Sequence, residues 1–156
     1  MKKTFSILSF LILTVFIINA QQFAESGDGI LLADNQPYTG EKTEYHDNGI
    51  KKLEMSFENG LLNGSVSSYY ETGELKEQGV YAKGEKNGKW VKFNTLGKKM
   101  GKAEWSNGKK NGTWHIFDEQ GNKRFEMFYK NGERSNTWTI WDENGKVVSQ
   151  KVYQGK

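Results

Sequence analysis

The chain of 156 residues contains no cysteine, a single proline and only two histidines, His46 and His115. Without cysteine it forms no disulfide bond and offers no thiolate ligand for zinc. Each histidine occupies a variable polar position, and no nucleophile–base–orienter pattern surrounds either one. We therefore expect a protein without enzymatic activity and without a cofactor, stabilised by packing and backbone pairing alone.

Long apolar runs are also scarce, apart from one at the N-terminus. Lys2 and Lys3 precede the apolar stretch 5–18, and Ala20 offers a small residue for cleavage. This is the pattern of a secretory signal peptide, which we assign to residues 1–20. The alternative is a retained membrane anchor, although the run is short for a bilayer span of about 20 residues. We expect an exported protein, periplasmic, on the cell surface or secreted, with no integral membrane segment after processing.

Excess charge is small once the predicted signal peptide is set apart. The whole chain carries a formal net charge of +3, and removal of Lys2 and Lys3 lowers this value to +1. Nucleic-acid binding requires a basic stripe, so a nearly neutral chain makes a nucleic-acid partner a poor candidate.

Glycine and aromatic residues, in contrast, are abundant and recur every 24 residues. Thirteen of the eighteen glycines fall into three columns with this period, and two further columns are entirely aromatic. The glycine columns are 49, 73, 97, 121 and 145; 60, 84, 108 and 132; and 40, 64, 88 and 112, the last continued by Asn136. The aromatic columns are Tyr45, Tyr69, Phe93, Phe117 and Trp141, and Phe57, Tyr81, Trp105, Tyr129 and Tyr153. Such a period indicates a repeat architecture.

Each repeat has the pattern of a β-hairpin. Acid- or Asn-containing turns end in glycine, which adopts a positive φ without a Cβ clash. Leu53, Met55 and Phe57 alternate with polar residues, as in a strand with one buried face. Joints such as "NGLLNG" and "NGKKNG" are interpreted as turns into the next hairpin. The sequence predicts an all-β, elongated antiparallel meander of about five hairpins over residues 37–156. Residues 21–36 form a lead segment, either a cap with a strand at residues 30–32 or a tether.

The repeats "NGKWVKFNTLGKKMGKAEWSNGKKNG" and "NGTWHIFDEQGNKRFEMFYKNGER" resemble the bacterial variant of the MORN repeat. Proteins of this build are similar to the YwqK-like family, described as antitoxins of toxin–antitoxin systems. The resemblance implies a sheet built from a meander of hairpins. Eukaryotic MORN repeats are associated with membrane lipids and scaffolding, but no lipid-binding residue transfers position by position.

One tryptophan column does not fit a simple buried face. Trp90, Trp114 and Trp138 share the 24-residue period, each three residues before a member of the Tyr45 column. Residues three apart in a regular strand face opposite sides. Either a bulge brings both columns to one face, or the tryptophans line the other face. We favour burial of the column by one of these two routes, and its exposure as a binding ladder is the alternative.

Acidic turns and lysine-rich joints supply the remaining candidates. Turns such as "DENGK" faintly resemble calcium loops but lack the ligand spacing, so we expect no metal site. Lysines near residues 83–110 are typical of solvated turns, or of a surface that binds an anionic partner. Three functions remain open: an exported protein-binding or scaffold module, an antitoxin or immunity protein, and a polysaccharide or cell-wall binder. A protein partner is the first expectation, and a polysaccharide or anionic surface is the alternative.

Overall fold

The computed structural model describes residues 21–27 and 29–154, and within these residues the regular structure is entirely β. The predicted signal peptide, residues 1–20, lies outside the described residues. The strands are β1 (Phe23–Glu25), β2 (Leu31–Ala33), β3 (Gln36–Pro37), β4 (Gly40–Tyr45), β5 (Lys51–Glu58), β6 (Leu61–Tyr69), β7 (Leu75–Ala82), β8 (Glu85–Phe93), β9 (Lys99–Ser106), β10 (Lys109–Lys110), β11 (Gly112–Phe117), β12 (Lys123–Lys130), β13 (Glu133–Trp141) and β14 (Val147–Tyr153).

Strands β4 to β14 form one antiparallel sheet of eleven strands in the described part of the chain. Its order is β14-β13-β12-β11-β9-β8-β7-β6-β5-β4, with β10 paired to β9. Neighbours in the sheet are thus neighbours in sequence, which is the definition of a meander. The predicted all-β array of five hairpins is confirmed.

The hairpins close through two kinds of turn, one on each long edge of the sheet. On one edge a single glycine takes positive φ, as at Gly97 (φ 71°), where its N–H donates to the carbonyl of Asn94. On the other edge two successive residues do so, as at Asn59 (φ 50°) and Gly60 (φ 79°). Positive φ at both central residues is the signature of a type I′ hairpin turn, whose twist matches that of the strands.

The joints between hairpins are shorter than the sequence interpretation implied. In "NGLLNG" only Asn59-Gly60 turns the chain, while the second Asn-Gly lies inside β6. Met55 pairs with Val66 and Phe57 pairs with Leu62, so the three residues 63–65 lie opposite the single residue Ser56 and form a bulge. The interpretation of the whole joint as a turn is therefore wrong. Its second glycine column, at 64, 88 and 112, with Asn136, serves a bulge that needs positive φ.

The sheet is a single layer with two distinct faces. Cross-strand partners share a face. One continuous row of partners contains Thr43, Glu54, Ser67, Gln78, Val91, Lys102, His115, Glu126, Thr139 and Gln150, and we call this side the polar face. The opposite side carries Trp90, Trp114, Trp138 and the Phe57 column, and we call it the aromatic face.

Burial is shallow on both faces, contrary to the prediction of one buried side. Among the described residues, the most buried hydrophobic residues are Trp90, at 4% exposure, and Ala33, at 7%. A single layer leaves each face in contact with solvent, because no second layer packs on it.

The lead segment folds over one end of the aromatic face. Strands β1, β2 and β3 form a small antiparallel sheet. Leu31 N–H donates to the carbonyl of Gly60, and Gly60 N–H donates to the carbonyl of Tyr38. Tyr38 lies with its ring centroid 5.1 Å from that of Phe23 and 6.1 Å from that of Phe57. The first repeat is thereby covered, and the aromatic face of the later repeats is left open.

Candidate binding face

The three tryptophans of the predicted ladder are anchored in the same way. Each indole N–H donates to a backbone carbonyl ten residues earlier: Trp90 to Val80 (3.2 Å), Trp114 to Glu104 (2.9 Å) and Trp138 to Phe128 (3.0 Å). Each indole therefore leans back over the preceding strand rather than standing upright. The anchoring fixes the ring orientation and satisfies the one polar group of the side chain.

The sequence left open whether a bulge brings the tryptophans to the face of the Tyr45 column or whether they line the other face. In the structure they lie on the face opposite the Tyr45 column. Strand β11 alternates regularly from Trp114 to Phe117, and the extra residue of the nearby bulge, Arg124, lies on β12. Trp114 and Phe117 consequently face opposite sides of the sheet. On the polar face the Tyr45 column contributes Tyr69, whose hydroxyl donates to Glu54.

The tryptophans interleave with the Phe57 column to form one aromatic stack. Trp114 lies 5.1 Å from Trp105 and 5.4 Å from Tyr129, centroid to centroid. The stack continues from Tyr129 to Trp138 (5.2 Å) and from Trp138 to Tyr153 (4.9 Å). Aromatic pairs at such distances add about 0.5–1.5 kcal/mol beyond the burial of their area. Two sequence columns that look independent are thus a single packing unit.

Exposure of the tryptophans depends on the residue beneath them. Trp90 is only 4% exposed and lies against Gly79, whereas Trp114 and Trp138 are half-buried. The positions equivalent to Gly79 in the next two repeats hold Ala103 and Met127. A larger side chain below the ring keeps it further from the backbone, so the later rings remain accessible.

A basic side chain lies over the rings of each of the last three repeats. Lys86 Nζ is 3.7 Å from the ring centroid of Trp90 and 5.5 Å from that of Trp105. Lys110 Nζ is 4.5 Å from Trp114 and 4.9 Å from Tyr129. Arg134 Cζ is 4.9 Å from Trp138 and 5.5 Å from Tyr153. These are cation–π distances, and we call these three side chains the cation row.

The cation row was missed as a unit at the level of sequence. Lys86 and Lys110 belonged to a loose basic run in the joints, and Arg134 was not grouped with them. A signal was present, because the three residues share the 24-residue period and follow Leu62 in the same column. Only the structure shows that this column overhangs the aromatic one.

The two histidines lie apart, and each contacts a structural partner. His46 Nε2 is 3.1 Å from the carbonyl oxygen of Tyr69 in the next repeat. His115 Nε2 is 2.8 Å from Glu126 Oε2, and Lys123 Nζ is 3.0 Å from the same oxygen. Partial burial by itself raises the pKa of Glu126, but the hydrogen bonds from Lys123 and His115 outweigh it and hold that pKa below its ordinary value.

Acidic side chains at the turns are engaged in forming those turns. Asp118 Oδ1 accepts the N–H groups of Gln120 (3.1 Å) and Asn122 (2.8 Å). Asp142 accepts those of Asn144 and Lys146 in the same way, both at 2.9 Å. Of the residues that the structure describes, no group of three or more His, Asp or Glu is arranged to hold a metal ion.

Hairpins of constant length, stacked edge to edge with a recurring aromatic unit, define a β-hairpin repeat protein. The family model described as "MORN repeat variant" matches residues 38–59, 62–83, 110–131 and 134–154. Together the matches cover more than half of the chain, which therefore belongs to the MORN repeat variant family. Between the second and third matches, β8 and β9 form a hairpin of the same kind.

Further comparisons add little to this assignment. No curated protein sequence matches the chain. A similar solved structure is the "Glycosylation Associate Protein (Gap123) complex from Streptococcus agalactiae", with 16% sequence identity and a TM-score of 0.38. The match covers 67% of this chain and 19% of that one. The described residues include no helix long and apolar enough to cross a membrane.

Proposed function

We propose that the chain is an exported, non-catalytic repeat protein that binds a protein partner through the aromatic face of its last three repeats. One observation carries the proposal: half-buried tryptophan and tyrosine rings lie beside lysine and arginine on an open sheet. Trp, Tyr and Arg are the residues most enriched among those that dominate protein–protein binding energies. The hydrogen bonds from the indole N–H groups to the backbone also keep these rings in place before binding, which lowers the entropic cost of association.

An antitoxin or immunity role is a finer form of the same proposal, since neutralising a toxin is itself a protein–protein interaction. It draws on the resemblance to the YwqK-like family. Because this chain has a predicted export signal, the toxin that it neutralises would act outside the cytoplasm. A toxin gene beside this one, and loss of protection when the cation row is reversed, would support this form.

Polysaccharide binding through a bare tryptophan ladder is less well supported. Stacking on a sugar requires an uncovered ring face. Lys86 lies over Trp90, Lys110 over Trp114 and Arg134 over Trp138. Each ring of the ladder therefore has a cation over it, which favours a partner that contacts charge as well as rings.

The proposal is tested by affinity capture with the protein purified after export. The parent chain is compared with a triple variant, Lys86→Glu, Lys110→Glu and Arg134→Glu. The matched control reverses Lys98, Lys109 and Lys130, which are exposed positions away from the aromatic face and change the net charge equally. We expect a partner that the parent and the control retain and the triple variant loses. Equal capture by all three folded proteins would contradict the proposed face.

A further inference from the structure

The cation row has no carboxylate partner within the described residues. The ion pairs there involve Lys42, Lys51, His115, Lys123 and Arg124, and none involves Lys86, Lys110 or Arg134. Three positive charges thus lie in line on one face, each held over aromatic rings. A row of this kind is complementary to a row of negative charges with the same spacing.

The spacing of the row follows from the repeat. Each repeat is two strands wide, so successive cations lie about 10 Å apart across the sheet. The ring-to-ring steps of 5.4 Å and 5.2 Å from Trp114 through Tyr129 to Trp138 agree with this value. A complementary ligand must present acidic groups on one side at intervals of about 10 Å.

Backbone geometry selects among protein segments with that interval. In a β-strand, side chains on one face recur at about 7 Å or 14 Å, which does not match. In a polyproline II helix, every third side chain lies on the same face at about 9 Å, which does match. An α-helix with acids seven residues apart matches as closely, at about 10.5 Å, so the interval excludes the strand and leaves the helix and the polyproline II segment. Aromatic-lined grooves are moreover the usual docking sites for polyproline II segments.

The surface beside Lys86 also suits proline. A trough of about 280 Å³ adjoins the first position of the row, where it is lined by Lys86 and Glu77 but not by Lys110. Its lining includes Trp90, Trp105, Trp114 and Ile116, with the small residues Gly101 and Ala103. A proline ring between two acidic residues of the ligand would lie against these apolar groups while the acids meet Lys86 and Lys110.

We infer that the cation row binds an acidic polyproline II segment of the partner, with Asp or Glu at every third position and proline between. This inference rests on the proposed function and specifies its partner. Carboxylates of the segment meet Lys86, Lys110 and Arg134 in succession, and its prolines pack between the exposed ring edges.

Three synthetic peptides with equal numbers of glutamates test the spacing. One repeats Glu-Pro-Pro, one repeats Glu-Pro, and one is a helix-forming peptide with glutamate at every seventh position. Binding to the exported full protein is measured by the change in tryptophan fluorescence and by calorimetry. We expect the Glu-Pro-Pro peptide to bind at least about tenfold more tightly than the other two. Equal affinity of all three peptides would overturn the inference, because it would reflect net charge alone.

Variants locate the binding on the cation row. Lys110→Glu should abolish binding of the Glu-Pro-Pro peptide, and Lys110→Met, which keeps much of the packing, should weaken it about tenfold. Lys109→Glu, on the adjacent exposed position, should bind like the parent. Circular dichroism checks that each variant is folded. Loss of binding in the Lys109 variant alone would place the site elsewhere and overturn the inference.

Polygalacturonate and vesicles with anionic lipids serve as the other arms of the test. Tighter binding of either one than of the Glu-Pro-Pro peptide would overturn the choice of a protein segment. The outcome is separable from that of the capture experiment. If the parent captures a partner through the aromatic face but binds none of the peptides, the polyproline II inference fails while the proposed function stands.

Discussion

The indole of Trp90 lies against Gly79 so closely that a methyl group on Gly79 would come within 2.2 Å of the ring carbons. The contact explains why Trp90 is the most buried of the three tryptophans, at 4% exposure. Gly79 in β7 thus determines how close the Trp90 ring in β8 lies to the backbone of the sheet. Trp90 is the ring at one end of the aromatic face that lies closest to the backbone, and Lys86 Nζ is 3.7 Å from its centroid.

Gly79→Ala should destabilise the protein by about 1–3 kcal/mol, because the added methyl group overpacks the indole. Gly79 has no positive φ, so the cost comes from the contact and not from the backbone. Gly101→Ala is the matched control, since its nearest atom outside the neighbouring residues is the carbonyl oxygen of His115 at 3.6 Å. Urea unfolding measures both variants. A control that loses as much stability as Gly79→Ala would contradict the explanation.

Gly97→Val should cost more than about 1 kcal/mol for the opposite reason, since a β-branched residue is strained at φ 71°. No atom outside the adjacent residues lies within 4 Å of a Cβ at this position, so contacts with other parts of the sheet play no part. Gly97→Asn should cost clearly less, because asparagine tolerates the left-handed region. The midpoints of urea unfolding measure both variants. An equal loss of stability in Gly97→Val and Gly97→Asn would contradict backbone strain as the cause.

Trp114→Ala should lower the free energy of unfolding by about 3 kcal/mol, at the low end for removal of a buried aromatic ring. The side chain contacts Trp105 and Tyr129 and donates to the carbonyl of Glu104. Phe117→Ala, in the same strand on the other face, serves for comparison. A Trp114 variant as stable as the parent would mean that the ring acts in binding alone and contributes nothing to the stack.

Stability should fall in acid partly through Glu126. Its folded-state pKa lies below the unfolded value, despite the opposing effect of burial, because Lys123 and His115 favour the carboxylate. The stabilisation is therefore complete above the unfolded pKa of about 4.3 and is lost as the pH falls through the lower folded value. Glu126→Gln should remove this part of the pH dependence, while Glu143→Gln at an exposed turn should leave it. Urea unfolding across a pH series measures the difference, and an unchanged acid profile in Glu126→Gln would contradict it.

Export remains a prediction from the sequence. A fusion of residues 1–22 to a reporter should leave the cytoplasm and be processed near Ala20, because the charged start, short apolar run and small residue are typical of a signal peptide. Substituting Lys2 and Lys3 by glutamate should impair this export. A reporter that stays unprocessed in the cytoplasm would remove the basis for the proposed location.

The sequence by itself determined the repeat, the strand class and the turns that end in a single glycine, but not which residues turn the chain within each joint. Period and turn chemistry are local: a glycine such as Gly97 at a left-handed position, or alternation such as Leu53-Met55-Phe57, acts within a few residues. The meander follows directly, because short turns leave each strand no neighbour other than the next one in the chain.

Only the tertiary structure decided how the repeats meet. In the joint "NGLLNG" the second Asn-Gly looks like the first, yet Asn59-Gly60 is a turn and Gly64 a bulge, because pairing with β5 fixes the register there. The burial of Trp90 depends on Gly79, eleven residues earlier, and the cation row exists only where Arg134 and its counterparts reach across to rings. Side-chain contacts between strands depend on register and on the size of the neighbour below, and these are properties of the assembled sheet rather than of any one segment.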